Sequence, residues 1–571
     1  MHPEPSAELT TAAKERLWTM LAPTEEVLES GEGILVKLRS EPGRATPRRA
    51  DALAAGLMRT PLHVAGQDRR IDVGVSWAAP QRWTPGTIDR LEERSRAALA
   101  QREPGLLRRA KKSRIRRFQP GIATQVALLI LLTVVLPFAL MVAAERNGIH
   151  LADVLLVIVA AALALTIGGQ WVETTIGAFA RTDPPETEIA RPLASAIIAA
   201  YLPNEQDTIM ETLQVFLRHE YAGGLQVILA YNTPKPLPVE AELRRLAAAN
   251  PRLTLAKVDG STSKAQNVNA AVSLVRGEFV GLFDADHQPD PGSFDRAWRW
   301  IASGVDIVQG HCVVRNGDES WVARTVAVEF EQIYAVSHRG RQLLHGYGIF
   351  GGSNGYWRTE LLRTTRMRGS MLTEDIDSSL RAIRAGARIE NDPRLISREL
   401  APTTLGALWR QRMRWSQGWT QVALAHSGAV LWGDELTPRQ RVGLFFHMLW
   451  RESYPFISAL VVPLLAFYLW HGGGLTFGNP ALLVLMLFAF TTTPLAVLLT
   501  RRVADPQIAR RASWWGWYLV VSMVFYHEFK NVISRIGVMR LMLSAEQHWT
   551  VTPRTAPVRA ASAVPVEITA G

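Results

Sequence analysis

Cysteine is almost absent: among 571 residues there is one, Cys312. A lone thiol excludes an intrachain disulfide and a multi-cysteine metal site, so Cys312 is read as a small, buried, apolar residue. A signal-peptide pattern is lacking too, because residues 1–20 mix Glu, Lys and Thr without an apolar stretch. The N-terminus is therefore expected to stay cytoplasmic. Acidic residues number 52 against 63 basic ones, for a formal charge of +11. The excess gathers between Arg108 and Arg117, directly ahead of an apolar segment. There it predicts anchoring on anionic lipid at the inner face of the cell membrane, and no nucleic-acid partner. What is plentiful is apolar sequence, 48% of the chain, collected into long runs. A chain this long exceeds a single core and predicts several domains.

The runs fall into pairs. Ile122 to Ala144 and Leu151 to Trp171 each approach the ~20 residues a bilayer helix needs. Ser453 to Trp470 and Ala481 to Thr500 form a second hairpin, joined by His471-Gly472-Gly473-Gly474. Arg181 and Arg191 follow the first hairpin, and Arg501-Arg502 and Arg510-Arg511 follow the second, so both are expected to begin and end on the cytoplasmic side of a multi-pass protein. Trp514 to Phe529 is apolar and Trp-rich but is soon interrupted by charge; spanning and lying in the interface both remain open. The expected units are 1–104, 105–180 with the basic segment and first hairpin, 190–400, 401–450 with interfacial helices, 451–500 with the second hairpin, and 501–571.

Between the hairpins, short apolar runs alternate with helical patterns: Ala196 to Ala200, Leu225 to Ala230, Leu253 to Ala256, Phe279 to Phe283 and Asp306 to Val314. Alternation of this kind predicts βαβ units in a mostly parallel, Rossmann-like α/β sheet, with ligands beyond the carboxyl ends of the strands. Asn204 and Glu205 follow the first strand and Asn232 the second, where a nucleotide should lie. The fourth strand delivers Asp284 and Asp286, alternate residues on one strand face, into the same crevice. Two carboxylates there suit Mg²⁺ or Mn²⁺ beside a diphosphate, although a bare Asp-x-Asp also serves as an ordinary turn. Lys264 and Asn267 open a helix and suit the diphosphate side; a solvated helix start is the plainer alternative.

Thr373-Glu374-Asp375 has the form of a helix N-terminus in which Thr373 caps backbone N–H groups. The helix dipole would keep Asp375 ionised and able to take a proton from an attacking hydroxyl. The turn containing Gly352, Ser353 and Asn354 would let a ligand approach the backbone closely. Farther on, Gln411, Arg414 and Trp415 stand three and four residues apart on one helix face. An indole suits the apolar face of a sugar ring, and Arg414 suits a leaving phosphate. Trp409 and Trp419 are equally suited to membrane anchoring.

Asp-x-Asp, Thr-Glu-Asp and Gln-x-x-Arg-Trp, in this order and flanked by membrane helices, make residues 190–500 resemble the processive family 2 glycosyltransferases, the group of cellulose, hyaluronan, chitin and curdlan synthases. The resemblance implies a GT-A fold and a nucleotide-sugar donor, UDP-glucose being favoured. It also implies a Mg²⁺ or Mn²⁺ ion held at Asp286, Asp375 as base, an inverted β-linkage, and a growing polysaccharide passed through the membrane helices. Glu374, Gly352, Ser353, Asn354, Gln411, Arg414 and Trp415 would then face acceptor and product. Trp549, Val551, Thr552 and Arg554 resemble the gating loop of cellulose synthases. Where the family has an Asp-Asp pair for uracil, this chain has Tyr231-Asn232, which weakens the UDP assignment. The set of membrane helices is short, so a pore could be narrow, absent, or completed by an export partner or a second copy of the chain. Addition of a single sugar to a lipid or short glycan is the alternative activity.

Residues 1–104 faintly resemble the second half of a diguanylate-cyclase domain: Ile34 to Leu38, Leu53 to Leu62, Arg70 to Trp77 and a helix from Thr87 to Gln101. The acids that cyclase catalysis needs are missing around Glu29-Ser30-Gly31-Glu32-Gly33. A small cytoplasmic α+β module with no catalytic role is the expectation.

Overall fold

The computed structural model describes residues 121–180, 183–472 and 480–542, together with short N-terminal pieces at 12–17, 26–29, 34–37, 62–64 and 67–69. In the N-terminal region two antiparallel strand pairs are described, Glu26–Glu29 with Ile34–Lys37 and Leu62–Val64 with Gln67–Arg69. The basic run 108–117 and the segment from Trp549 to Arg554 lie outside the described residues.

The central domain is built on eight strands: β1 (Ala194–Tyr201), β2 (Leu225–Asn232), β3 (Leu253–Lys257), β4 (Phe279–Asp284), β5 (Gln288–Pro289), β6 (Ile307–Val314), β7 (Gly355–Arg358) and β8 (Ile389–Glu399). Their order is β3-β2-β1-β4-β7-β6-β8-β5. Strands β1, β2, β4 and β6 are apolar runs buried on both faces, as strands covered by helices on either side must be. Five of the eight strands match the sequence reading within two residues at either end.

The expectation of a mostly parallel sheet holds for β1, β2, β3, β4, β6 and β8, and the sheet is mixed because β7 pairs antiparallel with both β4 and β6, and β5 antiparallel with β8. These two strands, with β8, are absent from the sequence reading. Strand β7 is four residues long and β5 only two, too short for a periodic signal, and β8 carries Asn391, Asp392, Pro393 and Arg394 in its middle. The chain runs β1, β2, β3 outward and then returns to lay β4 against the other side of β1, pairing Ala199 with Asp284. The order of strand addition reverses between β1 and β4, which run parallel, and a crevice at their carboxyl ends follows.

Helices are named where they matter below: α1 (Ala123–Arg146), α2 (Leu151–Phe179), α3 (Lys264–Val272), α4 (Trp321–Phe330), α5 (Glu374–Arg384), α6 (Leu405–Trp432), α7 (Pro438–Gly472), α8 (Pro480–Val503), α9 (Ala512–Val521) and α10 (His527–Met542). Among the described residues α1, α2 and α7 are long and apolar enough to cross a membrane. Large apolar side chains such as Leu140, Val157 and Val462 stand exposed on them, as lipid-facing positions would. Trp514 to Phe529 runs through α9, a π-turn at Ser522–Tyr526 and the start of α10, and buries Trp514, Trp515, Tyr518 and Tyr526 in a core shared with α4.

Two joints fix the helices to the sheet domain. Arg341, on the helix His338–His345, reaches Glu173 of α2 at 3.2 Å. Helix α6 runs against α10 at Gly537, where a Cβ would fall 2.2 Å from Ser416 Oγ, so a side chain there would push the two helices apart.

Candidate active site

Strand β4 ends at Asp284, and α3 begins at Lys264 because the Ser263 hydroxyl caps it by accepting the Gln266 N–H. The two elements bring Lys264 Nζ to 2.5 Å from Asp284 Oδ1 and to 2.5 Å from the Gly352 carbonyl oxygen. Gly352 has φ +93°, and a Cβ added there would lie 2.7 Å from Asp375 Oδ2. One ammonium thus links the strand-end carboxylate to a backbone turn that abuts the first turn of α5. Burial alone would lower the Lys264 pKa, but the charges of Asp284, Glu374 and Asp375 more than reverse this and hold it charged.

The first turn of α5 carries two carboxylates with raised pKa values. Burial, then the neighbouring Asp375 charge, pushes Glu374 up to about 7 against the pull of Lys264. Burial also raises Asp375, opposed by Lys264, by the backbone N–H of Ile376 and by Arg414. The helix N-terminus acts as expected but is outweighed by desolvation. A carboxylate raised toward neutrality is a better proton acceptor than an ordinary one. The expected cap is not formed: Thr373 occupies the N-cap position without a side-chain hydrogen bond, because its side chain is turned against Gly418 of α6.

Asp286 lies deeper than the alternation argument expects. Strand β4 stops at Asp284, so Asp286 belongs to the following turn and the pleat no longer sets its direction. It is fully buried, with Oδ2 accepting the Leu400 N–H at 2.9 Å. Asp284, with 30% of its side chain exposed, is the carboxylate presented at the strand edge.

Ser353 and Asn354 also point inward, contrary to a direct ligand-facing role. Ser353 Oγ accepts the Asp284 N–H, and Asn354, at φ +52°, donates to the carbonyls of His311 and Leu395. Gln309, which the motif reading missed, accepts the Gly351 N–H and donates to the Ser353 carbonyl, shaping the turn from beneath. At the nucleotide end, Asn232 Nδ2 donates to Ser261 and its Oδ1 accepts from Asn267, which also donates to Ala200. Glu205 accepts the Tyr201 N–H and the Asn204 amide, closing the turn after β1. Asn204, Glu205, Asn232 and Asn267 therefore shape the carboxyl edges of β1 and β2, each already engaged with its neighbours.

Helix α6 supplies the third group. Arg414 extends toward the Leu372 carbonyl, and its charge is felt by both Glu374 and Asp375. Gln411 Oε1, Arg414 Nε and Thr373 Oγ1 are buried polar atoms with no hydrogen-bond partner among the described residues. Trp415 is half-buried and stacks near Phe330, centroids 6.5 Å apart, with the Arg412 guanidinium 4.4 Å from its own ring centre. Trp409 packs on Phe529, while Trp419 meets His447 and Arg451, so both serve the helix bundle.

Two buried clusters brace this arrangement. Asp377 on α5 meets His426 of α6 at 2.9 Å, with Arg381 and Arg368 on its other side. Arg412 pairs with Glu329 of α4, which also accepts from Tyr526 at 2.8 Å and Lys530 at 3.0 Å. Arg412 sits inside the Gln411–Trp415 motif, so that half of the pair was visible in the sequence; nothing local marks Glu329.

Residues 192–418 match the family model described as "Glycosyltransferase like family 2". A probable glucomannan 4-beta-mannosyltransferase of Oryza sativa subsp. japonica is 23% identical over 283 residues, covering 48% of this chain and 46% of the relative. A poly-beta-1,6-N-acetyl-D-glucosamine synthase of Staphylococcus aureus is 26% identical over 244 residues, covering 40% and 55%. The chain thus spans about half the length of the curated relatives it matches. Among solved structures, a mannosyltransferase from Pyrobaculum calidifontis in complex with GDP-Man and Mn²⁺ aligns with a TM-score of 0.48 and 19% identity, covering 69% of this chain and 99% of that one. With its mixed GT-A-type sheet and its matched residues 192–418, the central domain of this chain is a glycosyltransferase family 2 domain.

Proposed function

We propose that the chain is a membrane-bound inverting glycosyltransferase that extends a β-linked polysaccharide from a nucleotide sugar, with UDP-glucose the favoured donor. The observation that carries this reading is the convergence of Lys264, Asp284, Gly352, Glu374 and Asp375 at the carboxyl edge of the sheet. The relatives named above, a β-mannosyltransferase and a poly-β-N-acetylglucosamine synthase, support a β-linked product.

The donor diphosphate lies beside Lys264 and Asp284, and the acceptor sugar lies between the Gly352 turn and α6. Asp375 takes the proton from the acceptor hydroxyl as its oxygen bonds to the anomeric carbon. The bond from that carbon to the diphosphate oxygen breaks on the opposite face, and the electron pair leaves with the diphosphate. Attack from the far side inverts the centre, so an α-linked donor gives a β-linkage. Lys264 and Arg414 hold positive charge where the departing oxygens gain negative charge. Asp284, presented at the strand edge, and the deeper Asp286 would supply the hard oxygen donors that Mg²⁺ or Mn²⁺ takes. Such an ion would neutralise diphosphate charge. Trp415 offers its indole to a sugar ring and Gln411 its open Oε1 to a hydroxyl.

The proposed setting is the inner cell membrane, with N-terminus and transferase domain cytoplasmic and the polymer leaving through the helices, alone or with an export partner or second copy. To test the reading, membranes containing the chain are incubated with UDP-glucose, UDP-N-acetylglucosamine or GDP-mannose and Mg²⁺ or Mn²⁺, followed by linkage analysis. A β-linked polymer from a UDP-sugar is expected. Products with only one added sugar would refute polymerisation, a GDP-sugar preference would refute the donor assignment, and no transfer at all would overturn the whole reading.

A further inference from the structure

Three residues near the carboxyl ends of neighbouring strands carry ligands that the transfer chemistry does not use. His287 follows β4, Cys312 lies in β6, and Glu399 closes β8, which runs parallel to β6 with Cys312 paired to Ser397. One ligand atom from each, imidazole nitrogen, thiol sulfur and carboxylate oxygen, lies within 4.8 Å of the other two. His287 Nε2 and Glu399 Oε2 are 3.5 Å apart. A tetrahedral ion with bonds of about 2.0–2.3 Å holds its ligands roughly 3.3–3.8 Å apart, so this edge already has the right length. The remaining edges, each within 4.8 Å, must contract toward that length on binding, and Glu399, 14% exposed, is the side chain with room to move.

We propose that His287, Cys312 and Glu399 form a second cation site, selective for a zinc-class ion and separate from the hard-oxygen site at Asp284. The donor set decides the selectivity. Thiolate with imidazole favours Zn²⁺ or Co²⁺ over Mg²⁺, whereas Asp284 offers oxygen alone. Three protein ligands leave one tetrahedral position for water. Binding releases the Cys312 proton to solvent, since only the thiolate is a ligand. His287 is already steered: its Nδ1 lies 3.2 Å from Ser397 Oγ, leaving Nε2 toward Glu399. Support of this kind for the second ring nitrogen is usual in zinc sites. The sequence neighbours of two ligands are themselves joined, because Asp286 accepts the Leu400 N–H. An ion tying His287 to Glu399 therefore locks Asp286 in place.

The site is testable without reference to sugar transfer. Full-length protein in lipid nanodiscs, stripped with EDTA, is titrated with Co²⁺ in excess Mg²⁺ while absorbance and melting temperature are followed. Because Cys312 is the only cysteine, a sulfur-to-cobalt charge-transfer band in the near ultraviolet has one source. One Co²⁺ per chain, the band, and a raised melting temperature are expected. Cys312→Ser should lose all three, Glu399→Gln should bind at least about tenfold more weakly, and Asp284→Asn should keep the band. Wild-type protein without the band, or an equal melting shift in Cys312→Ser, overturns the proposal. Should Cys312→Ser fail to fold, His287→Gln takes its place, and undiminished Co²⁺ affinity in that variant overturns the proposal equally.

Discussion

Replacing Arg412 by Met removes one partner of a buried ion pair while keeping most of the side chain's volume. Glu329 is 3% exposed, and burial alone would raise its pKa. Arg412, Lys530 and the Tyr526 hydroxyl instead pull it down to about 2. At ~1.4 kcal/mol per pH unit, a fall from 4.5 to about 2 means the charged form is favoured by about 3 kcal/mol. Breaking a buried pair typically costs ~3–5 kcal/mol, so the two routes agree. Lys530 remains at 3.0 Å after the change, which places Arg412→Met near the lower end, with about 1 kcal/mol more from the lost contact over Trp415. With about 4 kcal/mol lost in all, and a shift per kcal/mol that shrinks as the unfolding unit grows, the melting temperature of the detergent-purified chain should drop by roughly 3–8 °C. The sign with pH follows from a depressed carboxylate. Its contribution is present above the ordinary value of 4.5 and fades as pH falls toward about 2, so the gap between wild type and Arg412→Met should narrow over that interval. The double variant Arg412→Met/Glu329→Met should recover much of the loss, because no charge is left buried alone. Single variants as stable as wild type, or a double variant whose loss equals the sum of the two, would refute the reasoning.

Asp375→Asn should lower the transfer rate by about 10²–10⁴, read as kcat with radiolabelled donor, because the proposed base can no longer accept a proton. Activity should decline below neutral pH as the Glu374/Asp375 pair takes up a proton; Glu374→Gln removes the like charge and should move that acid limb to lower pH. An unmoved limb would contradict this assignment. Gly352→Ala should depress kcat and also lower the melting temperature, since its Cβ would meet Asp375 Oδ2 at 2.7 Å and its φ of +93° strains any side chain. Trp415→Ala should raise the acceptor KM and shorten products, whereas Trp409→Ala, at a position packed on Phe529, should act on stability alone.

The parallel half of the sheet was legible because β1, β2 and β4 are continuous apolar runs, and the motifs at their ends fell where such a sheet gathers ligands. Strands β5, β7 and β8 were not, being short or interrupted by polar residues and Pro393. At the site, the fold brings Lys264, Glu374, Asp375 and Arg414, residues of three separate motifs, within one another's electrostatic reach. Alternation along β4 failed for Asp286 because period-2 reasoning stops where the strand does. A Gly-rich turn announces close approach but not its direction, so Ser353 and Asn354 gave no sign that they face inward. Glu329 and Gln309 act through partners 83 and 44 residues away, Arg412 and Ser353, a separation that local patterns do not register.

Under the proposed function Asp375, set against Gly352 and within the field of Lys264, takes the acceptor proton in sugar transfer. The most direct test of this role is the comparison of wild-type and Asp375→Asn chains, equally folded in nanodiscs, for incorporation of labelled sugar from a nucleotide donor into a β-linked product. Incorporation by wild type and its near-complete loss in the variant is the predicted result. Equal incorporation by the two chains, or none by wild type with any donor, would contradict the account.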